Sequence, residues 1–288
     1  MIKCKKKIAI LMSTYNGALY LHEQIESIIA QNFKDWVLYI RDDGSSDETL
    51  DILQGYVFAD SRIVIYKDER GNIGTRASFM TLLENICAEY YSFADQDDVW
   101  LPNKLLEAIT YLEKYKNRIA LFNSNVTVVD SQLNVILDDY WKNLHIDPSR
   151  RFMVDKLIIN PSIIGMTMVF NNKARDIVIP YRGVNLLHDS WCSIMIAKNG
   201  VLISSKKQSV LYRQHSKNVC GLNRLKKRNL FSKLVMSLSN NIDKYKDVKR
   251  LFDISLFQYF ILKLNLYVDY YKYNENKIND IIINENFN

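Results

Sequence analysis

The sequence predicts an α/β fold in which a mainly parallel sheet is flanked by helices. From residue 8 to residue 98, short apolar segments alternate with segments whose apolar residues recur at helical spacing. Clusters of polar residues directly follow several of the apolar segments. Alternation of strand and helix signals at this interval is typical of βαβ units, whose strands run parallel.

The first half of the chain contains four strand signals. The predicted strands are residues 8–12, 36–40, 62–66 and 90–94. Helical spacing follows the first strand at residues 21–29 and the third strand at residues 79–86. After the second strand, Ser45 and Glu48 have the spacing of a capping box, which predicts that a helix begins there.

The second half has shorter strand signals and a change of composition. The predicted elements are strands at 119–125 and 165–170, a loop at 142–151 and a helix at 190–197. We therefore expect a catalytic domain over residues 1–221 and a basic, aromatic and helical C-terminal appendage over residues 222–288. The tail at 274–288 is expected to fray, because chain ends that are not tied down are poorly ordered.

Composition excludes several classes of protein. Hydrophobic residues make up 48% of the 288 residues, which is enough to bury a core and excludes disordered and collagen-like chains. The chain has 38 Lys and Arg against 32 Asp and Glu, a modest net charge of +6 that does not predict a nucleic-acid partner. Basic and aromatic residues also do not interleave as in an RNA-binding motif.

Cysteine spacing and hydropathy predict a cytoplasmic enzyme. The four cysteines form neither a CxxC pair nor a zinc-finger spacing, so we expect reduced thiols. The apolar run at residues 8–12 is too short for the core of a signal peptide. An uncharged apolar stretch of about 18 residues, which a membrane-spanning helix needs, is missing from the sequence.

Three polar clusters are expected to meet at one edge of the sheet. They are residues 13–16, 42–47 and 95–98, and each follows a predicted strand. Ligands of parallel sheets bind beyond the carboxyl ends of the strands, because those ends share one edge. The clusters therefore predict a single binding crevice.

The cluster Asp95, Gln96, Asp97 and Asp98 predicts a site for a divalent cation. Three carboxylates so close together repel one another unless a positive charge lies among them, and hard cations prefer carboxylate oxygens. Asp95 and Asp97 can point in different directions, one toward metal and one toward a sugar hydroxyl. The alternative is a solvated acidic turn, which is common for isolated triplets of this kind.

The clusters after the first two strands contain candidate nucleotide-binding residues. Asp42 and Asp43 can accept hydrogen bonds from a base or a ribose, although a turn that caps a helix is the alternative. Thr14 and Asn16 can contact a nucleotide through hydroxyl and backbone groups. Arg76 can reach a base or a phosphate, and its alternative is an ordinary surface arginine.

Two segments of the second half carry further candidates. Asp189 opens the helix predicted near residue 190, where a carboxylate is either a helix cap or a general base. His215 follows a strand-like segment and can complete a metal site begun by Asp97. His145 and His22 offer no pattern that indicates a role.

Taken in order, these segments resemble the family-2 glycosyltransferases, which have the GT-A fold. The matching segments are residues 12–17, 41–47, 72–74, 94–100, 165–171, 188–191 and 212–221. The resemblance covers about residues 7–221. Within the family, the chain is most similar to bacterial rhamnosyltransferases of surface polysaccharide synthesis, through Asp-Gln-Asp-Asp at 95–98, His-Asp-Ser-Trp at 188–191 and Tyr-Arg-Gln-His at 212–215.

The resemblance implies a role for each candidate residue. The residues that the resemblance implies bind the nucleotide and the donor sugar are Thr14, Asn16, Asp42, Asp43, Arg76, Asp95 and Gln96. Asp97 and His215 are expected to bind Mg²⁺ or Mn²⁺ with the diphosphate, and Asp189 to be the catalytic base of an inverting displacement. The family has Glu where this chain has His188, so that residue, with Trp191, is assigned to acceptor selection.

The resemblance also implies a donor, an acceptor and a kind of biosynthesis. The expected donor is a dTDP- or UDP-sugar, foremost dTDP-rhamnose, and the acceptor is a saccharide or a lipid-linked saccharide in capsule, cell-wall or O-antigen synthesis. The main alternative is a transferase of the same fold that uses UDP-glucose or UDP-galactose. More distant alternatives are a nucleotidyltransferase, for which a phosphate-binding Gly-rich loop is missing, and a non-catalytic nucleotide- or carbohydrate-binding protein.

The basic C-terminal segment has three interpretations. Residues 224–250 hold nine basic and two acidic residues, and residues 251–271 are rich in Leu, Phe, Tyr and Ile. The segment can be a solvated helical face, a peripheral contact to the inner face of the membrane, or the interface of a homodimer. A lipid-linked acceptor favours the membrane contact.

Overall fold

The computed structural model describes residues 7–182, 186–216, 218, 245, 248–250 and 252–285. Within these ranges it contains ten strands in one sheet. The strands are β1 (Ile8–Thr14), β2 (Trp36–Asp42), β3 (Ile63–Ile65), β4 (Tyr90–Ala94), β5 (Val99–Trp100), β6 (Ala120–Val129), β7 (Val135–Leu137), β8 (Val169–Asn171), β9 (Val201–Arg213) and β10 (Ile281–Glu285).

Helices cover both faces of the sheet. They are α1 (Ala18–Ile29), α2 (Thr49–Ala59), α3 (Thr75–Asn85), α4 (Lys104–Leu112), α5 (Tyr140–Asn143), α6 (Pro148–Arg151), α7 (Val154–Ile159), α8 (Asn172–Val178), α9 (His188–Asn199) and α10 (Leu256–Tyr271). Short 3₁₀ turns lie at Glu113–Tyr115, Gly165–Thr167 and Glu275–Lys277.

The strand order across the sheet is β10-β9-β6-β8-β4-β1-β2-β3. β1 runs parallel to β2 and β4, and β2 runs parallel to β3. β8 is antiparallel to both β4 and β6, whereas β6 and β9 are parallel. The prediction of a mainly parallel sheet flanked by helices is confirmed.

The central strands are buried on both faces because each face packs against helices. All seven residues of β1 are buried, and their side chains alternate between two hydrophobic clusters. Ile8, Ile10 and Met12 pack with α1 and α4, while Ala9 and Leu11 pack with α3 and α9. A continuous apolar run is what a parallel strand covered on both faces requires.

Local structure differs from the prediction after the second strand. Helix α2 begins at Thr49, whose N–H donates to Asp47 Oδ1 at 3.1 Å, and the side chain of Glu48 makes no capping bond. The Ser45 hydroxyl instead donates to Asp42 Oδ1 at 2.6 Å and accepts from the Asn16 N–H at 2.9 Å. The capping-box prediction is therefore wrong, because a tertiary hydrogen bond takes the hydroxyl that a local cap would use.

Three predictions about later segments also need correction. Residues 142–151, expected as loop, contain parts of α5 and all of α6, which Asp139 and Asp147 cap by accepting backbone N–H bonds. The strand predicted at 165–170 starts as a 3₁₀ turn and becomes β8 only at Val169. The tail expected to fray forms the edge strand β10, antiparallel to β9.

The predicted C-terminal appendage lies partly outside the described residues, including most of the basic stretch 224–250. Of its described residues, α10 packs on α6 and α7, and β10 joins the main sheet. None of the described helices is both long and apolar enough to span a membrane. Cys192 is a buried free thiol, whereas Cys87 is disulfide-bonded, so the expectation of reduced thiols is wrong for Cys87.

A buried lysine on α4 makes stability depend on pH. Lys104 is 2% exposed, and its Nζ donates to Ser92 Oγ at 3.2 Å and lies 4.1 Å from the centre of the Trp100 ring. Burial lowers the pKa of Lys104 to about 7 in the folded chain. The unfolded chain therefore binds more protons between pH 7 and pH ~10, and the free energy of unfolding should rise with pH across that window.

Replacing Lys104 should remove the rise of the free energy of unfolding with pH. We expect Lys104→Met to increase the free energy of unfolding near pH 6 by on the order of a few kcal/mol, because the charged ammonium no longer has to be buried. Urea unfolding at several pH values measures the effect, with Lys173→Met, an exposed lysine of α8, as the control. Parallel pH profiles for wild type and Lys104→Met would contradict the prediction.

Candidate functional site

The carboxyl ends of β1 and β2 hold a hydrogen-bonded pair, Thr14 and Asp42. The two residues are register partners, and Thr14 Oγ1 donates to Asp42 Oδ1 at 2.9 Å. Asp42 Oδ2 accepts from the N–H groups of Gly44 and Ser45 at 3.1 and 2.8 Å. The Asp42 carboxylate is thus held rigidly at the mouth of the crevice, where a nucleotide is expected.

Asn16 joins the loops that follow β1 and β2. Its backbone has a positive φ of 47°, and its Oδ1 accepts from the Ser46 N–H at 2.8 Å. Asn is one of the few residues that tolerate this conformation. Asn16 therefore organises the crevice wall through contacts within the protein.

Gln96 connects the end of β4 to the end of β1. Its Oε1 accepts from the Tyr15 N–H at 2.9 Å, and its Nε2 donates to the Tyr15 carbonyl at 3.1 Å. A side chain at Gly17 would collide with this amide, since a Cβ there would lie 2.3 Å from Gln96 Oε1. The amide of Gln96 is therefore engaged with the backbone of the first loop.

Asp43 is buried below the crevice and is bound on every side by the protein. It is 2% exposed, and Arg41 Nη1 donates to its Oδ1 at 2.5 Å. The N–H groups of Ile73 and Gly74 each donate to it at 2.8 Å. Asp43 therefore fixes the 71–74 loop against β2, and its contact with a nucleotide stays a prediction.

Arg41 is a residue whose importance the sequence did not indicate. Its guanidinium is almost fully buried and also binds the Asp68 carboxylate at 3.0 Å and the Gly71 carbonyl at 2.8 Å. The Arg41 guanidinium holds the pKa of Asp68 well below its usual range. Arg41 thus links β2 to the loop that precedes α3.

Removing Arg41 should destabilise this part of the fold. Arg41→Met is expected to lower the free energy of unfolding by about 3–5 kcal/mol, because it leaves the Asp43 carboxylate buried without a counter-charge. Urea unfolding followed by circular dichroism measures the loss. Arg150→Met, which breaks a more exposed pair with Asp147, is the control and should cost less than about 1 kcal/mol. Equal losses for the two variants would contradict the prediction.

Asp97 and His215 meet across the crevice, although they are far apart in the chain. Asp97 Oδ2 and His215 Nε2 are 2.8 Å apart, and Asn218 Nδ2 donates to the same oxygen at 3.3 Å. The His215 ring lies 4.8 Å from the Tyr20 ring, measured between centroids. The structure thus brings together the two residues predicted to bind metal.

Asp95 interacts electrostatically with both Asp97 and Asp189. Burial, with the negative charges of Asp97 and then Asp189, raises the pKa of Asp95 to about 8. Burial and the Asp97 and Asp95 charges also raise the pKa of Asp98 well above its usual range. A carboxylate cluster with such raised pKa values attracts positive charge and is typical of functional sites.

Asp189 sits in the first turn of α9, half-buried at the crevice. Its Oδ1 accepts from the N–H of Ser190 at 2.5 Å, an interaction within its own turn. A Cβ built on Gly165 would lie 3.2 Å from the Asp189 Cβ and 3.5 Å from Oδ2. The glycine therefore leaves room around the Asp189 carboxylate, whose role as the base stays a prediction.

His188 is buried directly beneath Asp189. Its ring stacks on Phe79 at a centroid distance of 4.2 Å and meets the edge of Phe93 at 4.8 Å. Among the residues that the structure describes, neither buried ring nitrogen of His188 has a hydrogen-bond partner. Burial lowers the pKa of His188, and the charge of Asp189 opposes that shift. The histidine is therefore a neutral packing residue in this structure, at the position where an acceptor contact was expected.

Two other predicted residues lie away from the crevice contacts. Trp191 is 3% exposed, packs in the core and donates from Nε1 to the Val178 carbonyl at 2.8 Å. That placement gives the predicted acceptor role of Trp191 no support. Arg76 is half-buried on α3, with its guanidinium carbon 5.7 Å from the Tyr181 ring centre, and its role at the nucleotide stays a prediction.

Arg213 at the end of β9 is a second buried arginine that holds the site together. Its Nε donates to the Asp97 carbonyl at 2.7 Å, and its Nη1 donates to the Ser131 carbonyl at 2.7 Å. Its backbone N–H donates to Asp98 Oδ1 at 3.0 Å, and Nη2 pairs with Glu23. In the sequence, the feature that pointed to Arg213 was its position two residues before His215.

Asp97 and His215 fit a divalent cation as a pair of adjacent ligands. A carboxylate oxygen and an imidazole nitrogen 2.8 Å apart have the separation of two neighbouring ligands of one ion. The described residues contain no group of three or more His, Cys, Asp or Glu side chains arranged to hold a metal. A cation at this pair would therefore need further ligands, and Mg²⁺ is commonly held by one or two carboxylates together with substrate phosphates.

Comparison with known proteins places the chain in a family. Residues 9–176 match the sequence profile of glycosyl transferase family 2. The chain is 30% identical over 228 residues to the dTDP-rhamnosyl transferase RfbG of Shigella flexneri. The match covers 74% of this chain and 74% of RfbG. It spans 44% of the length of two uncharacterized Rickettsia glycosyltransferases that it also matches.

Solved structures share the fold at low sequence identity. A structure of S. aureus TarS in complex with UDP-GlcNAc gives a TM-score of 0.59 at 14% identity, over 94% of this chain and 74% of that one. The mannosyltransferase PcManGT from Pyrobaculum calidifontis, in complex with GDP-Man and Mn²⁺, gives 0.55 at 13% identity, over 94% and 82%. The fold is that of the GT-A enzymes, and the chain belongs to glycosyl transferase family 2.

Proposed function

We propose that this glycosyltransferase moves a hexose from a nucleotide-sugar donor to a saccharide or lipid-linked acceptor, with inversion at the anomeric carbon. The observation that carries the proposal is the 2.8 Å contact between Asp97 and His215, the two metal-binding candidates. The charges of Asp97 and Asp189 both raise the pKa of Asp95, which supports a common site for this pair and the candidate base. In such a site the departing diphosphate and the incoming hydroxyl would lie on opposite sides of the anomeric carbon, as an inverting displacement requires.

In the proposed reaction, Asp189 accepts the proton of an acceptor hydroxyl. The hydroxyl oxygen then forms a bond to the anomeric carbon while the bond from that carbon to the diphosphate oxygen breaks. A single displacement of this kind inverts the configuration. A positioned base contributes roughly 10²- to 10⁴-fold to the rate.

The other crevice residues bind and orient the donor. Thr14 and the rigid Asp42 carboxylate lie where parallel sheets bind nucleotides, at the carboxyl ends of β1 and β2. Asp97 and His215 would hold Mg²⁺ or Mn²⁺, which when bound neutralises negative charge on the diphosphate leaving group. Asp95, whose pKa the charges of Asp97 and Asp189 raise, would contact the ribose or the donor sugar.

For the donor, dTDP-rhamnose is our first candidate. The similarity to the dTDP-rhamnosyl transferase RfbG supports this choice, because it extends over 74% of both chains. The second candidate is a UDP-sugar, since TarS, which shares the fold, has been solved with UDP-GlcNAc. Either donor is consistent with a role in capsule, cell-wall or O-antigen synthesis at the inner face of the membrane.

Donor hydrolysis tests the proposal without knowledge of the acceptor. The full chain with Mn²⁺ is incubated with dTDP-rhamnose, UDP-glucose, UDP-galactose and UDP-GlcNAc, and release of nucleoside diphosphate is measured. We expect release from one nucleotide sugar to exceed that from the others. Release from none of them, with binding of none by calorimetry, would overturn the proposed activity.

A further inference from the structure

The helix α10 has apolar side chains on two opposite faces. Its inner face packs on the core through Tyr259, Leu262 and Leu266. Asp269 on the same face pairs with Lys156 of α7 at 3.0 Å, with both side chains mostly buried. A full capping box formed by Ser255 and Gln258 fixes the start of the helix. These contacts determine which side of the helix is turned outward.

The outer face of α10 is a continuous apolar surface, which we call the α10 stripe. Its residues are Leu256, Phe257, Phe260, Ile261, Leu264 and Val268, all of them exposed. Their spacing confines them to an arc of about 140° along a helix about 24 Å long. Leu256 and Phe257 are 64% and 74% exposed, although the solvent face of a surface helix is normally polar. Exposed apolar patches of this kind mark interaction sites.

Exposed basic residues flank this apolar surface at both ends of the helix. Lys249 and Arg250 lie just before the helix and Lys272 just after it, and one exposed acidic residue, Asp253, also precedes the helix. In the sequence, residues 224–250 carry nine basic and two acidic residues, most of them outside the described residues. The acidic residue of α10 itself, Asp269, is turned inward to Lys156. An apolar helix face flanked by lysine and arginine is complementary to a surface that is apolar and anionic.

We propose that the α10 stripe docks on an anionic lipid bilayer, with the helix lying in the plane of the headgroup boundary. The apolar side chains would enter the acyl region while the flanking basic residues contact lipid phosphates. A second copy of the chain fits less well, because self-association through this face would bring the same basic flanks together. The inference goes beyond the proposed function, since docking is measured without any sugar transfer.

Vesicle flotation tests the proposal on the full chain. The vesicles contain equal parts of phosphatidylcholine and phosphatidylglycerol, or phosphatidylcholine alone. We expect wild type to float with the anionic vesicles and to be released by high salt. Phe257→Ser combined with Ile261→Ser should lower the partition coefficient about tenfold or more, because two apolar side chains are removed from the docking face.

Phe58→Ser provides the matched control, because Phe58 on α2 is 95% exposed and lies outside the stripe. It should float like wild type, and thermal melts of both variants should match wild type. Donor hydrolysis in solution should also be unchanged, which separates a failure of docking from a failure of the proposed function. Equal flotation of the double variant and wild type would overturn the proposal. The proposal would also be overturned if wild type did not float with the vesicles but formed a dimer, and if the double variant lost that dimer.

Discussion

Asp189→Asn is expected to lower kcat for sugar transfer by about 10²- to 10⁴-fold, because an amide cannot take the proton of the acceptor hydroxyl. The affinity for the nucleoside diphosphate should stay nearly unchanged. Among the described residues, Asp189 accepts hydrogen bonds from the backbone N–H and the hydroxyl of Ser190, within its own turn, so asparagine can occupy the same place. Steady-state kinetics give kcat, and calorimetry with the nucleoside diphosphate gives the affinity.

The matched control is Asp176→Asn, which changes an exposed carboxylate on α8. It should leave kcat and nucleotide affinity as in wild type. Raising the pH tests the assignment further, since no pH should restore activity to a variant that lacks the base. Substantial turnover by Asp189→Asn would remove this residue from the role of base, and a parallel loss of nucleotide affinity would assign it to binding instead.

Much of the fold follows from patterns that act locally. The apolar runs of β1 and β4 predict strands buried on both faces, and the observed burial confirms this. Parallel pairing then places residues 13–16, 42–47 and 95–98 at one edge, so the sheet edge that carries these candidate residues could be predicted from the sequence. Periodicity and chain direction are sufficient for these features.

Other features depend on partners that are distant in sequence. Arg41 and Arg213 belong to a residue type that is mostly exposed, and their burial depends on carboxylates and carbonyls contributed by other loops. β10 forms by antiparallel pairing with the edge of β9. The composition of the tail alone does not indicate this pairing. The Ser45 hydroxyl likewise serves Asp42 and Asn16 in place of the helix that follows it.

The same limitation affects His188. Its place beside the candidate base suggested contact with an acceptor, but the rings of Phe79 and Phe93 enclose it. Sequence neighbours in the first turn of a helix point in different directions, so adjacency to Asp189 does not give His188 access to the crevice. Only the packing of α9 against α3 and β4 shows which of the two residues faces the ligand.

Exhaustive chelation is expected to abolish activity, and Mn²⁺ or Mg²⁺ should restore it. Asp97→Asn or His215→Ala should then raise the cation concentration for half-maximal activity by about 10- to 100-fold or more, since even loss of an outer-shell contact has an effect of that size. The reason is the 2.8 Å contact between Asp97 Oδ2 and His215 Nε2, which places the two side chains at one ion. Titration of activity with each cation measures the change.

The cation requirement, compared with stability, separates ligation from a merely structural ion pair. If both residues hold the same ion, each single variant and the double variant should need more cation for half-maximal activity than wild type, whereas loss of a structural pair lowers the free energy of unfolding and leaves that concentration unchanged. Asp60→Asn, which breaks the remote pair between Asp60 and Arg62 at 2.6 Å, should leave the cation requirement unchanged. The contrary result is activity that survives chelation while Asp97→Asn, His215→Ala and their double variant all have a lower free energy of unfolding. That result would show that Asp97 and His215 only tie the end of β9 to the loop after β4.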